Sequence, residues 1–238
     1  MKVSAMVTKK EFTKEEISSI ICSSWEPLTS YQRSLLFRNI SVEKFKKNEL
    51  IYKDQEVPSM MMFLVQGKVK VIKEGKGHCQ IIRVIKPTEF FGYRAFFAHE
   101  SFQASAMAFE PSVVALIPMT VIMEILPDCH GMAQSIIQHL SVELGKSDNR
   151  IISLTQKHIR GKLAEALIVL KDCYGLEDDG TTLNIYLSRE DLANLSNMTT
   201  SNAIRTLSTF ASEKLVAIDG RKIKILQETE LRRISRIG

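Results

Sequence analysis

Ser188-Arg189-Glu190-Asp191-Leu192-Ala193-Asn194-Leu195-Ser196-Asn197-Met198-Thr199-Thr200-Ser201-Asn202-Ala203-Ile204-Arg205-Thr206-Leu207 is the most informative stretch of the chain. Ser188 with Asp191 three residues on has the spacing of a capping box, in which serine and acid close a helix N-terminus together. Leu192, Ala193 and Leu195 give that helix a small apolar face ending near Asn197-Met198. Thr199 caps a second helix from Thr200 to about Ala211, with Ala203, Ile204 and Leu207 facing inward. Two short helices joined by a three- to four-residue turn predict a helix-turn-helix. An αα-hairpin of plain core structure has the same local pattern. The sequel distinguishes the two: Lys214 to Ile218 and Arg221 to Ile225 flank Asp219-Gly220, a strong hairpin signal with a cationic tip. A helix-turn-helix followed by a basic β-wing reads as a winged-helix DNA-binding domain, with a purely structural or protein-binding winged helix as the alternative.

Upstream, apolar residues fall at Met132, Ile136, Leu140, Leu144, Ile151 and Leu154, with Ser147 on the missing beat. This one-faced stripe predicts a helix from Pro127 to about His158, longer than globular core helices usually are. It reads as the seam of a homodimer, with packing inside one chain as the alternative. Between Lys46 and Pro118 the texture is that of short strands. Met61 to Val65 is an apolar run ended by Gln66-Gly67, and Lys68 to Lys73 alternates polar and apolar. Glu74-Gly75-Lys76-Gly77 turns the chain into His78 to Ile85, and two further β-like runs cover 104–109 and 112–117. Strands at this interval, punctuated by Gly and Pro, predict a β-roll. The fold class is thus α+β: helices around Glu26-Pro27 and a β-roll (1–126), a long dimerisation helix (127–158), and a winged helix-turn-helix (159–238).

The 238 residues are 45% hydrophobic and 25% charged, an ordinary globular composition. No run approaches the ~18 apolar residues of a membrane span. Met1-Lys2-Val3-Ser4 does not open a signal peptide, so a cytoplasmic location is expected, with no membrane partner. Four widely spaced cysteines, Cys22, Cys79, Cys129 and Cys173, suit neither a disulfide framework nor a metal cluster. Of the net charge of +5, residues 188–238 carry +3, compatible with a phosphate-binding surface. No nucleophile–base pair, paired carboxylates or phosphate-cradling glycine loop appears, so an enzyme is not expected.

The order of parts resembles the cyclic-AMP receptor protein / fumarate-nitrate regulator (Crp/Fnr) family of bacterial transcription factors. In the roll the resemblance rests on Gly67-Lys68-Val69-Lys70-Val71, Phe91-Gly92 and Ala104-Ser105-Ala106. Beyond it, the resemblance rests on the long helix, Gly161-Lys162-Leu163-Ala164, Leu187 to Ala193, Asn202 to Leu207 and the wing. It implies a nucleotide-type roll that senses a signal, a dimer, and a winged helix that reads a palindromic operator in double-stranded DNA, with RNA polymerase as a further partner. Arg205 falls where relatives place a recognition-helix arginine, a group able to donate bidentately to guanine O6 and N7. Ser201 stands where relatives carry a glutamate. Thr200 and Ser201 remain candidate base contacts, and Ser188, Arg189, Thr199, Asn202, Arg221 and Lys222 candidate phosphate contacts.

By the same resemblance the effector pocket gathers Phe91, Gly92, Tyr93, Arg94, Phe102, Gln103 and Ala104, with Ser147 and Asp148 from the long helix. Cyclic AMP is not expected there. Tyr93 stands in place of the ribose-binding glutamate and Phe102 in place of the phosphate-binding arginine, leaving Arg94 as the alternative cation. A buried unpaired phosphate charge is very costly. An iron–sulfur cluster needs about four cysteine ligands, which the N-terminal region lacks. Haem stays open through His78, His99, His130, His139 or His158, each of which also reads as a surface or capping histidine. Three readings follow: a regulator with an effector other than cyclic AMP, an effector-independent regulator with Phe102 filling the pocket, and a cyclic-nucleotide-binding-type module without DNA readout.

Overall fold

The computed structural model describes residues 12–75 and 78–237, and of His78 the backbone. The N-terminal stretch read for a targeting signal and the hairpin tip Lys76-Gly77 lie outside the described residues.

Helices α1 (Lys14–Ser23) and α2 (Ser30–Asn39) each begin with a complete capping box, Thr13 with Glu16 and Thr29 with Gln32. The alternating segment forms two antiparallel four-stranded sheets. One runs β1 (Ser41–Phe45), β8 (Ser112–Pro118), β3 (Met60–Gln66), β6 (Phe90–Phe91). The other runs β2 (Leu50–Tyr52), β7 (Ser105–Ala108), β4 (Val69–Gly75), β5 (His78–Ile85). Gly67 starts the β3–β4 connection at φ +96°, where a Cβ would stand 2.7 Å from the backbone of Ser112, so the position admits only glycine. A four-residue helix, α3 (Arg94–Phe97), follows β6 of one sheet and precedes β7 of the other in the chain.

The helical period after Pro118 is broken once. Helix α4 (Met119–Ile125) runs into a 3-10 turn, Leu126–Asp128, which holds Pro127, so the long helix α5 begins at His130 and ends at Gln156. Its 27 residues span about 40 Å. The expected start at Pro127 is therefore displaced by three residues: the chain turns first to cover the roll with α4. Helix α6 (Ile159–Tyr174) opens the C-terminal unit, followed by α7 (Arg189–Ser196), α8 (Thr200–Ser212), the wing strands β9 (Val216–Asp219) and β10 (Lys222–Ile225), and α9 (Glu228–Ile237).

Three apolar clusters hold these parts. Ile17 and Leu36 of the two N-terminal helices, and Trp25 between them, pack with Met61, Ile117, Ile122 and Met132 on the outside of the roll. Inside the roll lie Leu64, Val69, Ile85, Phe91, Phe102 and Ala106. The third cluster joins Ile72, Ile81, Val84 and Phe109 of the roll to Leu167, Leu192, Leu195, Leu207 and Phe210, so the winged helix is seated on the β4–β5 hairpin.

Candidate DNA interface

Helix α7 starts at Ser188, whose hydroxyl accepts from the Asp191 amide at 2.9 Å. The return half of the expected capping box is replaced. The Asp191 carboxylate accepts from the Ser188 hydroxyl at 2.7 Å and from Lys70 of β4 at 2.5 Å. Burial alone would raise the Asp191 carboxyl; the Lys70 ammonium and the Ser188 hydroxyl outweigh it and hold it below the ordinary value. Asn197, in the left-handed region at φ 50°, turns the chain into α8, where Thr199 accepts from the Asn202 amide at 3.3 Å.

Helix α8 buries Ala203, Thr206, Leu207 and Phe210 and exposes Thr200, Ser201, Ile204, Arg205 and Ser208. Ile204, expected to face inward, is 46% exposed. It sits one residue, about 100° of helical rotation, off the buried row, and Thr206 takes the inner seat instead. The exposed face therefore offers hydroxyls, one guanidinium and one apolar group, the last suited to a thymine methyl. Arg205 Nη2 donates to the Asn202 side-chain oxygen at 3.0 Å, which extends the guanidinium along that face.

The wing lies beside α7. Asp219 pairs with Lys222, so the two-residue turn is Gly220-Arg221, one position later than the Asp219-Gly220 reading, and Arg221 is exposed at its tip. Arg189 Nη2 donates to the Gly220 carbonyl at 2.9 Å and ties the tip to α7. Lys222 has other partners. Its ammonium lies 3.2 Å from Glu177 and 5.1 Å over the Tyr186 ring, and hydrogen bonding to Tyr186 first, and then to Glu177, raises its pKa. Lys224 likewise reaches Asp179 at 3.2 Å. The acidic segment Glu177-Asp178-Asp179 thus faces the wing lysines, leaving Arg221 and Arg189 as the cations nearest the tip.

The residues assigned to an effector pocket do not converge. Phe91, Phe102 and Ala104 are buried inside the roll, where the Phe102 ring stacks on Tyr52 with centroids 3.9 Å apart. Burial pushes the Tyr52 hydroxyl up to about 12. Gly92 is at φ +83° against Met62. Tyr93 points out of the roll toward α5, its ring edge-on to His139. Arg94 and Gln103 are exposed around Glu100, at 3.8 and 2.7 Å. Ser147 and Asp148 are exposed on α5.

The stripe on α5 divides. Met132 is buried, and Ile136 and Leu140 pack against the N-terminal cluster, as the intrachain alternative required. Farther along, Leu144 and Ile151 are 65% and 61% exposed, Ser147 is exposed and Leu154 half-buried. Ile137 is equally bare and completes a seven-residue repeat with Leu144 and Ile151 that the sequence reading missed.

Glu89, His139 and Glu143 bring three metal-type ligand atoms together between roll and α5. The Arg83 guanidinium already fills that space: it pairs with Glu89, lies 2.9 Å from Glu143 and 3.0 Å from His139 Nε2. The cluster is a charge-compensated contact rather than an open cation site.

Residues 42–128 match the cyclic nucleotide-binding domain and residues 161–234 the Crp-like helix-turn-helix domain. The global nitrogen regulator of Synechococcus elongatus is 21% identical over 196 residues, covering 81% of this chain and 88% of that one. A CRP-like cAMP-activated global transcriptional regulator of Mycobacterium tuberculosis is 18% identical over 84% of this chain and 91% of its own. Among solved structures, FixK2 from Bradyrhizobium japonicum superposes with a TM-score of 0.74 at 19% identity, covering 82% of this chain and 96% of FixK2. A roll of cyclic nucleotide-binding type, joined through a long helix to a winged helix-turn-helix, defines a DNA-binding transcriptional regulator. This chain belongs to the Crp/Fnr family. Among the described residues no helix is long and apolar enough to cross a membrane.

Proposed function

We propose that the protein is a cytoplasmic, homodimeric, sequence-specific transcriptional regulator without enzymatic activity, acting on a palindromic operator together with RNA polymerase. Helix α8 enters the major groove, Arg205 reads guanine, and Thr200 and Ser201 contact neighbouring bases. Ser188, Arg189, Thr199, Asn202 and Arg221 hold phosphates and set register. Lys222 is a weaker candidate, because a phosphate must compete for it with Glu177. The observation that carries this reading is the exposed face of α8, on which Arg205 is exposed and donates to the Asn202 side-chain oxygen. The bare Ile137–Leu144–Ile151 row supports pairing with a second copy. The test is selection of an operator from random duplex, followed by titration of the selected and a scrambled sequence. Equal affinity for both would overturn sequence-specific reading.

A second reading concerns the signal. The Phe102–Tyr52 stack inside the roll favours a regulator that works without an effector there over one that takes a small molecule in the roll. The experiment is native mass spectrometry of purified protein with operator binding measured on the same sample. A stoichiometric bound molecule whose removal abolishes DNA binding would overturn the effector-independent reading.

A further inference from the structure

Helix α7 is held at both ends by cations that belong to other parts of the chain. At its N-terminus Asp191 meets Lys70 of β4, with side chains only 18% and 10% exposed, and the same ammonium lies 4.8 Å over the Phe109 ring. At its C-terminus the Leu195 carbonyl, one of the last-turn carbonyls that a helix leaves without an internal donor, accepts from Arg150 Nη2 of α5 at 3.1 Å. That same nitrogen donates to the Ile81 carbonyl of β5 at 2.6 Å. Arg150 therefore touches the long helix, the roll and the winged helix at one point. Its Nε is buried with no hydrogen-bond partner among the described residues. A guanidinium desolvated against carbonyls is expensive compared with an apolar side chain of similar size. Apolar packing alone could seat the winged helix on the roll, since Ile72, Ile81 and Val84 already contribute to that core. Apolar contacts, however, are non-directional, whereas hydrogen bonds and ion pairs at the two ends of one helix specify its angle.

We infer that Lys70 and Arg150 are positioning residues for operator reading: they clamp α7, and with it the recognition helix α8, at one angle to the long helix. In a dimer this angle sets the distance between the two recognition helices and so the half-site spacing that is read. This rests on the dimer proposed above, but the clamp itself lies within one chain and is measurable without the dimer.

The test uses the full chain and two variants: Arg150→Met, and Lys70→Met with Asp191→Asn, which removes the ion pair without leaving a bare buried charge. Hydrogen exchange is followed at the amides of α7 and β5. In parallel, binding is measured to duplexes whose half-sites are moved apart in single base-pair steps, and to a duplex with one half-site. We expect faster exchange in both elements and a fall of about tenfold in the preference for the best spacing, within the usual range of interdomain coupling. Affinity for the single half-site should stay as in the parent. Unchanged exchange, unchanged spacing preference, or an equal loss on the single half-site would each overturn the clamp. A parent chain that sediments as a monomer would overturn the dimer, and the exchange data would still decide the clamp.

Discussion

The Phe102 ring is stacked on Tyr52 within the roll, centroids 3.9 Å apart. We infer that two aromatic faces in contact leave no place for a cyclic phosphate between them. Calorimetric titration with millimolar cyclic AMP should therefore show no saturable heat; a micromolar isotherm would refute this account of the roll. Phe102→Ala should cost about 3–5 kcal/mol in denaturant unfolding, because the stack is core.

Replacing Leu144 and Ile151 with Asp should yield monomers. Both side chains are bare in the single chain, so the substitutions leave its own core intact while placing like charges against their mates in a parallel pair. Burying unpaired charges there costs several kcal/mol. Sedimentation velocity reads the outcome, and an unchanged dimer would remove this row from the interface.

Arg205→Ala and Arg221→Ala should differ in kind. The first should cost about 1–3 kcal/mol on the selected operator and relax one position per half-site, with little loss on random duplex. The second should weaken both duplexes alike and lower the salt slope by about one per phosphate, doubled in a dimer. Fluorescence anisotropy across a salt series separates them. Equal losses on both duplexes for Arg205→Ala would make that residue a backbone contact.

Stability should fall as pH drops below about 6.5, the ordinary histidine value, in part through His139. Burial first, and then the Arg83 guanidinium, hold the His139 pKa below that value, against the opposing pull of Glu89 and Glu143. Arg83 can only donate, so His139 Nε2 accepts and the ring is neutral in the fold. A group with a depressed folded-state pKa contributes stability above the unfolded value, and that contribution fades as the unfolded chain takes up the proton. His139→Gln keeps an acceptor without the titration and should show a smaller loss in melting temperature between pH 7.5 and 5.5. Equal losses in parent and variant would discount His139.

Periodicity and capping are local, and they made the elements legible from the residues alone. The alternation from Lys68 to Lys73, the one-faced apolar stripe on the long helix and the Ser188 and Thr199 caps each act within a few residues of chain. The two helices and the wing were readable for that reason, whereas Arg205 was singled out by the family resemblance. Ile204 was misplaced because a short amphipathic helix tolerates a rotation of one residue, and only the neighbours of α8 decide which side is covered.

Tertiary packing decided what local pattern leaves open. The stripe on α5 looks uniform in sequence, yet its first half is covered by the N-terminal helices and its second half is bare. Lys222 reads as a free cation until Glu177, 45 residues away, is brought to it. Lys70 and Asp191 lie 121 residues apart, and Arg83 meets His139 across 56. Such pairs leave no periodic trace, because their geometry exists only once the hydrophobic clusters have set roll, long helix and winged helix against one another.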